Sequence, residues 1–196
     1  MKKLLAILMV LSASNLFAQK IKVLEGDVKA LKGVKSYNTE FTYSPMTIGN
    51  KGLDEKEYIA DKKKTLNEKE NGRGDKWEQS WVDDRENRFE PQFRELFAKH
   101  SQASASDGNS EYTLIFKTTR TEPGWNVGVM RVPAFIDGEA WIVETKNRDK
   151  VIAKLSIRNS PGRDAWGMDW DTGSRLEEAY AKAGKELGGY IRSKAK

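Results

Sequence analysis

Val151, Ala153, Leu155 and Ile157 alternate with Lys154, Ser156 and Arg158, and Ile152 is the one apolar residue out of step. A period of two predicts a half-buried strand over 150–159. Apolar runs over 112–120 and 134–147 precede it, and the polar link 147–150 suits a hairpin connection. Leu176, Tyr180, Ala183, Leu187 and Ile191 then recur at helical spacing and predict an amphipathic helix over 176–191. Ala179, Gly184 and Gly188 flank that stripe and predict close approach of the helix to a sheet. Residues 112–191 therefore predict a three-strand meander closed by one helix, the organising unit of the chain.

Upstream, Lys35, Tyr37, Thr39, Phe41 and Tyr43 alternate with polar residues and predict a strand with an aromatic face, ended by Pro45 and the glycines of 49–52. Asp54 and Glu57 form a capping arrangement for a helix over 54–69. Its apolar face is thin, and the run Lys62-Lys63-Lys64 reads as solvated. Within Arg73-Gly74-Asp75, Asp75 reads as the N-cap of the next helix rather than part of an integrin-type tripeptide. Trp77, Trp81, Arg85 and Phe89 stack at spacing four, and the stripe reads as core rather than as a ligand platform. Pro91 predicts a bend or a second helix start. Phe93, Leu96 and Phe97 continue the face, His100 ends it, and 101–110 is a loop. A short strand is expected around Pro133. The lysine-rich stretch 19–33 is expected along an edge of the fold or loosely attached.

Residues 1–18 change the picture of where the protein acts. Lys2 and Lys3, the apolar run 4–11 and the site Phe17-Ala18-Gln19 have the form of a cleaved secretory signal, leaving a single domain over 19–196. The run is too short to span a bilayer, and no later stretch is apolar enough to do so. A periplasmic or secreted protein is expected. The chain has no cysteine, so lipid attachment at a cleavage-site cysteine and disulfide stapling are both excluded. Net charge is +5, falling by two with the leader, and acidic and basic residues interleave throughout. No nucleic-acid partner is expected from such a distribution.

The residue types exclude most catalytic constellations. With one histidine and no cysteine, neither a thiol nucleophile nor a two-histidine zinc site can be assembled, and no dinucleotide or phosphate-loop motif occurs. No catalytic residue, metal or cofactor is assigned. Asp169-x-Asp171-x-Gly173 lacks the remaining ligands of a calcium loop. Asp171 and Ser174 read instead as caps for the last helix, with Ser174 and Glu177 forming a capping box. Candidate ligand-binding residues are Arg163, Trp166, Asp169 and Trp170. They combine a bidentate donor with two flat apolar faces beside a helix N-terminus, which suits an anionic or hydroxyl-rich ligand.

The signal ending Phe17-Ala18-Gln19 resembles those of exported proteins of the Bacteroidetes bacteria. Residues 112–117, 136–157 and 176–191 resemble uncharacterised secreted proteins of that group. More distantly, they resemble envelope proteins of the TolB N-terminal-type α/β fold. That resemblance implies an envelope-binding role without chemistry, and no residue role transfers with it.

These expectations combine into a single α/β (α+β) domain with a four- or five-stranded mixed or antiparallel sheet. Helices over 54–69, 75–100 and 174–192 cover it. Its core is expected to contain Phe41, Leu114, Phe116, Val143, Val151, Leu155, Ile157, Tyr180 and Leu187. The functional expectation is an exported non-catalytic binding or envelope-assembly protein whose partner is an envelope protein or a glycan. The alternatives are a carbohydrate-binding module using Trp166 and Trp170, or a carboxylate-dependent hydrolase using Asp164, Asp169 or Glu139.

Overall fold

In the computed structural model, which describes residues 20–106, 108–126, 130–163 and 171–196, the meander forms as the alternation predicts. β6 (Tyr112–Glu122), β9 (Phe135–Glu144) and β10 (Asn147–Pro161) pair antiparallel in succession. The link between the last two is tighter than expected. Thr145 and Lys146 make the turn, so residues 147–150 lie inside β10. Leu114, Phe116, Ala140, Ile142, Leu155 and Ile157 point to one buried face.

Ile152, the residue out of step, is explained by a bulge between Val151 and Ala153. Val151 pairs with Val143 on the other face, while Ile152 packs against the core in its place. Val143 is buried as expected, outside the main core cluster, whereas Val151 is only half-buried and outside that cluster, which corrects its place in the expected core.

The sheet is larger than the four or five strands expected. Eight strands join it among the described residues, in the order β1-β10-β9-β6-β2-β5 along the main path. β1 (Lys20–Gly26) is a paired edge strand on β10. β2 (Ser36–Thr42) runs parallel to β6, and β5 (Ser104–Ala105) parallel to β2. β3 (Thr47–Ile48) takes over the same edge of β6 beyond β2 and pairs with β4 (Leu53–Asp54). β3, β4 and β5, of two residues each, are too short to show a period. β7 (Trp125–Asn126) and β8 (Arg131–Val132) form a separate hairpin ending before Pro133.

Within the helical layer, one continuous helical run over 73–101 lies beside α4. α1 (Glu55–Lys69) is capped by Asp54, whose carboxylate accepts from the Lys56 N–H at 2.8 Å. α2 (Arg73–Asp84) starts at Gly72, and it is Asn67 Oδ1 that accepts from Gly74 N–H at 2.6 Å. Asp75 is no cap; it pairs with Lys63 at 2.8 Å. A single π turn, Arg85–Phe89, leads into α3 (Glu90–Ser101), with Glu90 N–H reaching Arg85 C=O. The wider turn lets Pro91, which lacks an N–H, sit in a continuous helix without a break. The aromatic stripe is core: Trp81, Phe89, Phe93 and Phe97 are buried, and Phe89 stacks on Tyr180 at 4.8 Å between centroids.

α4 (Thr172–Lys194) lies along the buried face of β9 and β10 beside α3. Its glycines serve a different neighbour from the sheet expected. A Cβ at Gly184 would stand 2.3 Å from Phe93 C=O, and one at Gly188 2.6 Å from Phe97 C=O. These two glycines admit the backbone of α3, whereas Ala179 meets the sheet as expected, its C=O accepting from Ser160 Oγ at 2.7 Å. Tyr180 anchors α4 to the sheet through Thr118 Oγ1 at 2.7 Å.

Candidate functional site

The strands β6, β9 and β10 and the helix α4 bring four chain segments to one end of the molecule. There β6 runs out at Glu122, β9 begins, β10 ends at Pro161 and α4 starts at Thr172. Gly162 N–H donates to Ala134 C=O at 2.8 Å, and Arg163 N–H to Arg175 C=O at 3.3 Å. Glycine is required at 162, because a Cβ would stand 2.3 Å from Arg175 C=O. Arg175 is buried, and its guanidinium is hydrogen-bonded, as a buried charge must be. Nε donates to Pro123 C=O at 3.1 Å and Nη2 to Thr172 Oγ1 at 3.2 Å. This one side chain ties the exit of β6 to the first turn of α4.

The outer rim of that turn is a network of ion pairs. Asp171 caps α4, with Oδ1 accepting from Ser174 N–H at 3.0 Å. Ser174 lies inside the helix, so the expected Ser174–Glu177 box does not form the cap; its hydroxyl accepts from Arg163 Nη2 at 2.6 Å. Arg88, from the π turn, reaches Asp171 at 3.1 Å with Nη1 and Asp84 at 3.1 Å with Nε. Burial pushes the Asp84 carboxyl above the usual range, and Arg88 only partly offsets that. Burial also acts upward on Asp171, but Ser174 N–H and Arg88 outweigh it and hold its carboxyl low. Beneath the network lies a cleft of about 240 Å³ lined in part by Trp77, Trp81, Asp84, Arg88 and Asp171.

Of the candidate residues, the structure places Arg163, exposed and bonded to Ser174 at the α4 N-terminus. Trp166, Asp169 and Trp170, and the acid candidate Asp164, lie outside the described residues. Glu139 belongs elsewhere. It stands on the sheet face opposite α4, where Trp141 Nε1 donates to it at 2.8 Å, so it forms no carboxylate pair with the α4 end. Among the described residues no group of three or more His, Asp or Glu is placed to hold a metal, and no helix is long and apolar enough to cross a membrane.

Sequence reasoning missed Arg88, Asp84 and Arg175. Arg88 and Asp171 are 83 positions apart, and Arg175 and Pro123 are 52 apart. No local pattern joins residues so distant. Arg175 does leave one trace in the sequence: it stands four positions before Ala179, on the face of α4 that is buried.

The chain matches no family model and no curated protein. Among solved structures it is similar to a Xanthomonas campestris protein of family DUF330, with 12% identity over 82% of this chain and 84% of that one, at a TM-score of 0.43. It is also similar to the PelC dodecamer from Paraburkholderia phytofirmans, with 12% identity over 87% of this chain and 98% of that one, at a TM-score of 0.40. Both are proteobacterial, and neither connects the chain with Bacteroidetes proteins or the TolB-type fold. Likeness at this level transfers neither function nor site residues.

Proposed function

We propose that the protein is an exported, non-catalytic binding or envelope-assembly protein that engages an envelope protein or glycan through residues 163–173 and the adjoining α4 N-terminus. The observation that carries this is the Arg88 clamp. The two carboxylates that share the cleft are both engaged by one guanidinium, and Asp171 also caps a helix. Carboxylates so occupied hold a surface in shape; they are poorly placed to move protons. Arg163 beside Ser174 supplies a donor, and the tryptophans at 166 and 170 in the same segment of the sequence supply flat apolar faces for a partner. The leader-like residues 1–18 support the reading that the protein acts outside the cytoplasm.

The test is affinity capture of the tagged protein from its own envelope, comparing the natural chain with Arg163→Ala and with Trp166→Ala combined with Trp170→Ala. The expected outcome is loss of the captured partner with the melting temperature within a few degrees. A large fall in melting temperature with unchanged capture per folded molecule would make the segment core and move the site elsewhere.

A further inference from the structure

A second cleft, of about 410 Å³, lies where β3, α1 and the exit of β6 meet, and among the described residues it shares no lining residue with the cleft under the Arg88 clamp. Its volume falls within the roughly 300–1,000 Å³ of small-molecule sites. Three features of its wall make different chemical demands. Glu122 is only 3% exposed yet lines the cleft. Its Oε1 accepts from Gly124 N–H at 3.2 Å. Its Oε2 is the atom nearest to where a Cβ at Gly49 would stand, 3.9 Å away, so the side-chain-free glycine leaves room beside that oxygen. Burial pushes the carboxyl up, against Gly124 N–H and Arg120. Whether ionised or protonated, such a group is complemented by a hydroxyl, which can donate or accept.

Lys62 stands on the same wall. Burial lowers its pKa, and the cations Lys69, Arg175 and Arg73 lower it further. An ammonium surrounded by like charge and partly removed from water is stabilised by an anion beside it. Trp125 is the third feature. Gly124, at φ +73°, turns the chain sharply out of β6, and the indole that follows is 40% exposed at the mouth of the cleft. Tyr58, Ile48 and Leu53 add apolar lining to the same cleft.

A ring with a C–H face for Trp125, hydroxyls for Glu122 and a carboxylate for Lys62 meets all three demands at once. A neutral sugar leaves Lys62 unanswered, and an aromatic carboxylate leaves Glu122 unanswered. We propose that this cleft binds a uronic acid residue of an acidic glycan, stacked on Trp125 with its hydroxyls on Glu122 and its carboxylate on Lys62. This proposal does not rest on the α4 surface reading, and either can fail without the other.

Titration calorimetry on the full chain, in 0.15 M salt, tests this with the trisaccharides of galacturonate, glucuronate and mannuronate, the neutral galactose trisaccharide, and benzoate. At least one uronate should bind ten-fold or more tighter than the neutral sugar and benzoate. Trp125→Ala should weaken it at least ten-fold and Trp125→Phe much less. Lys62→Gln should reduce it to the level of the neutral sugar, and Glu122→Gln should weaken it several-fold. Circular dichroism checks that each variant is folded; should Trp125→Ala unfold, Lys62→Gln alone decides. Binding of none of the three uronates, equal binding of benzoate, or binding unaffected by Lys62→Gln would overturn the proposal.

Discussion

Asp171 does two separable things at the N-terminus of α4. It accepts from Ser174 N–H, which any good capping residue would do, and it holds a negative charge against Arg88, which only a carboxylate does. Asparagine caps about as well as aspartate, so Asp171→Asn removes the charge and keeps the cap. The carboxyl is held below its ordinary range in the folded chain. Its stabilisation is therefore present above the unfolded-state value of about 3.9 and is lost as pH falls through the folded value. Urea unfolding at several pH values should show Asp171→Asn less stable than the natural chain near pH 7, with the gap closing in acid. A gap that is the same at every pH would mean that the cap, and not the ion pair with Arg88, is what matters at this position.

At the scale of elements, the α3–α4 contact rests on glycines whose propensity argues the other way. Alanine at 184 would favour the isolated helix by about 1 kcal/mol, but its Cβ would meet the backbone carbonyl of Phe93, which cannot swing aside. Overpacking of this kind costs about 1–3 kcal/mol, so Gly184→Ala should lower the urea midpoint. Gly189→Ala, with nothing near its added Cβ, should leave the midpoint unchanged or raise it. Equal effects at the two positions would remove the close-approach account. The same glycines show what a sequence can and cannot convey. Their spacing announced that something approaches α4 closely, but not whether it is sheet or helix, because a small-residue stripe is blind to its partner. Alternation was legible over β2 and β10, and apolar runs marked β6 and β9. The bulge that exchanges Val151 for Ile152 left a visible irregularity. β3, β4 and β5 were not legible, since two residues carry no period. At the site, the cap at Asp171 was legible because capping is local, whereas Arg88, Arg175 and Glu122 acquire their roles only when distant segments meet.

Across the whole molecule the packing is graded, and α1 stands at its loose end. None of the described residues of α1 is buried. Its attachment runs through Tyr58 to Trp77 and Trp81, through Glu55 to Trp81 and Arg85, and through Lys63 to Asp75 and Glu78. Lys62 and Lys63 are partly covered, which corrects the expectation of a wholly solvated lysine run; Lys64 alone of the three is exposed. By contrast α4 buries Leu176, Ala179, Tyr180, Ala183, Leu187 and Ile191 between α3 and the sheet, and β9 is paired on both edges. Local opening follows burial and the solvent exposure of backbone hydrogen bonds, so the free energy of opening should rise from α1 to α4 and β9. The cleft beside Lys62 and Tyr58 is walled partly by this looser element, and a ligand held there should bind the closed form and slow its opening. Native-state amide exchange followed by mass spectrometry should show peptides from 56–68 exchanging at least ten-fold faster than those from 176–191 and 136–143. Addition of the tightest-binding uronate should slow 56–68 selectively. Uniform protection of α1 and α4 would mean that the ion pairs and the Tyr58 contacts hold α1 as firmly as a buried apolar face holds α4, and the graded description would then have to be given up.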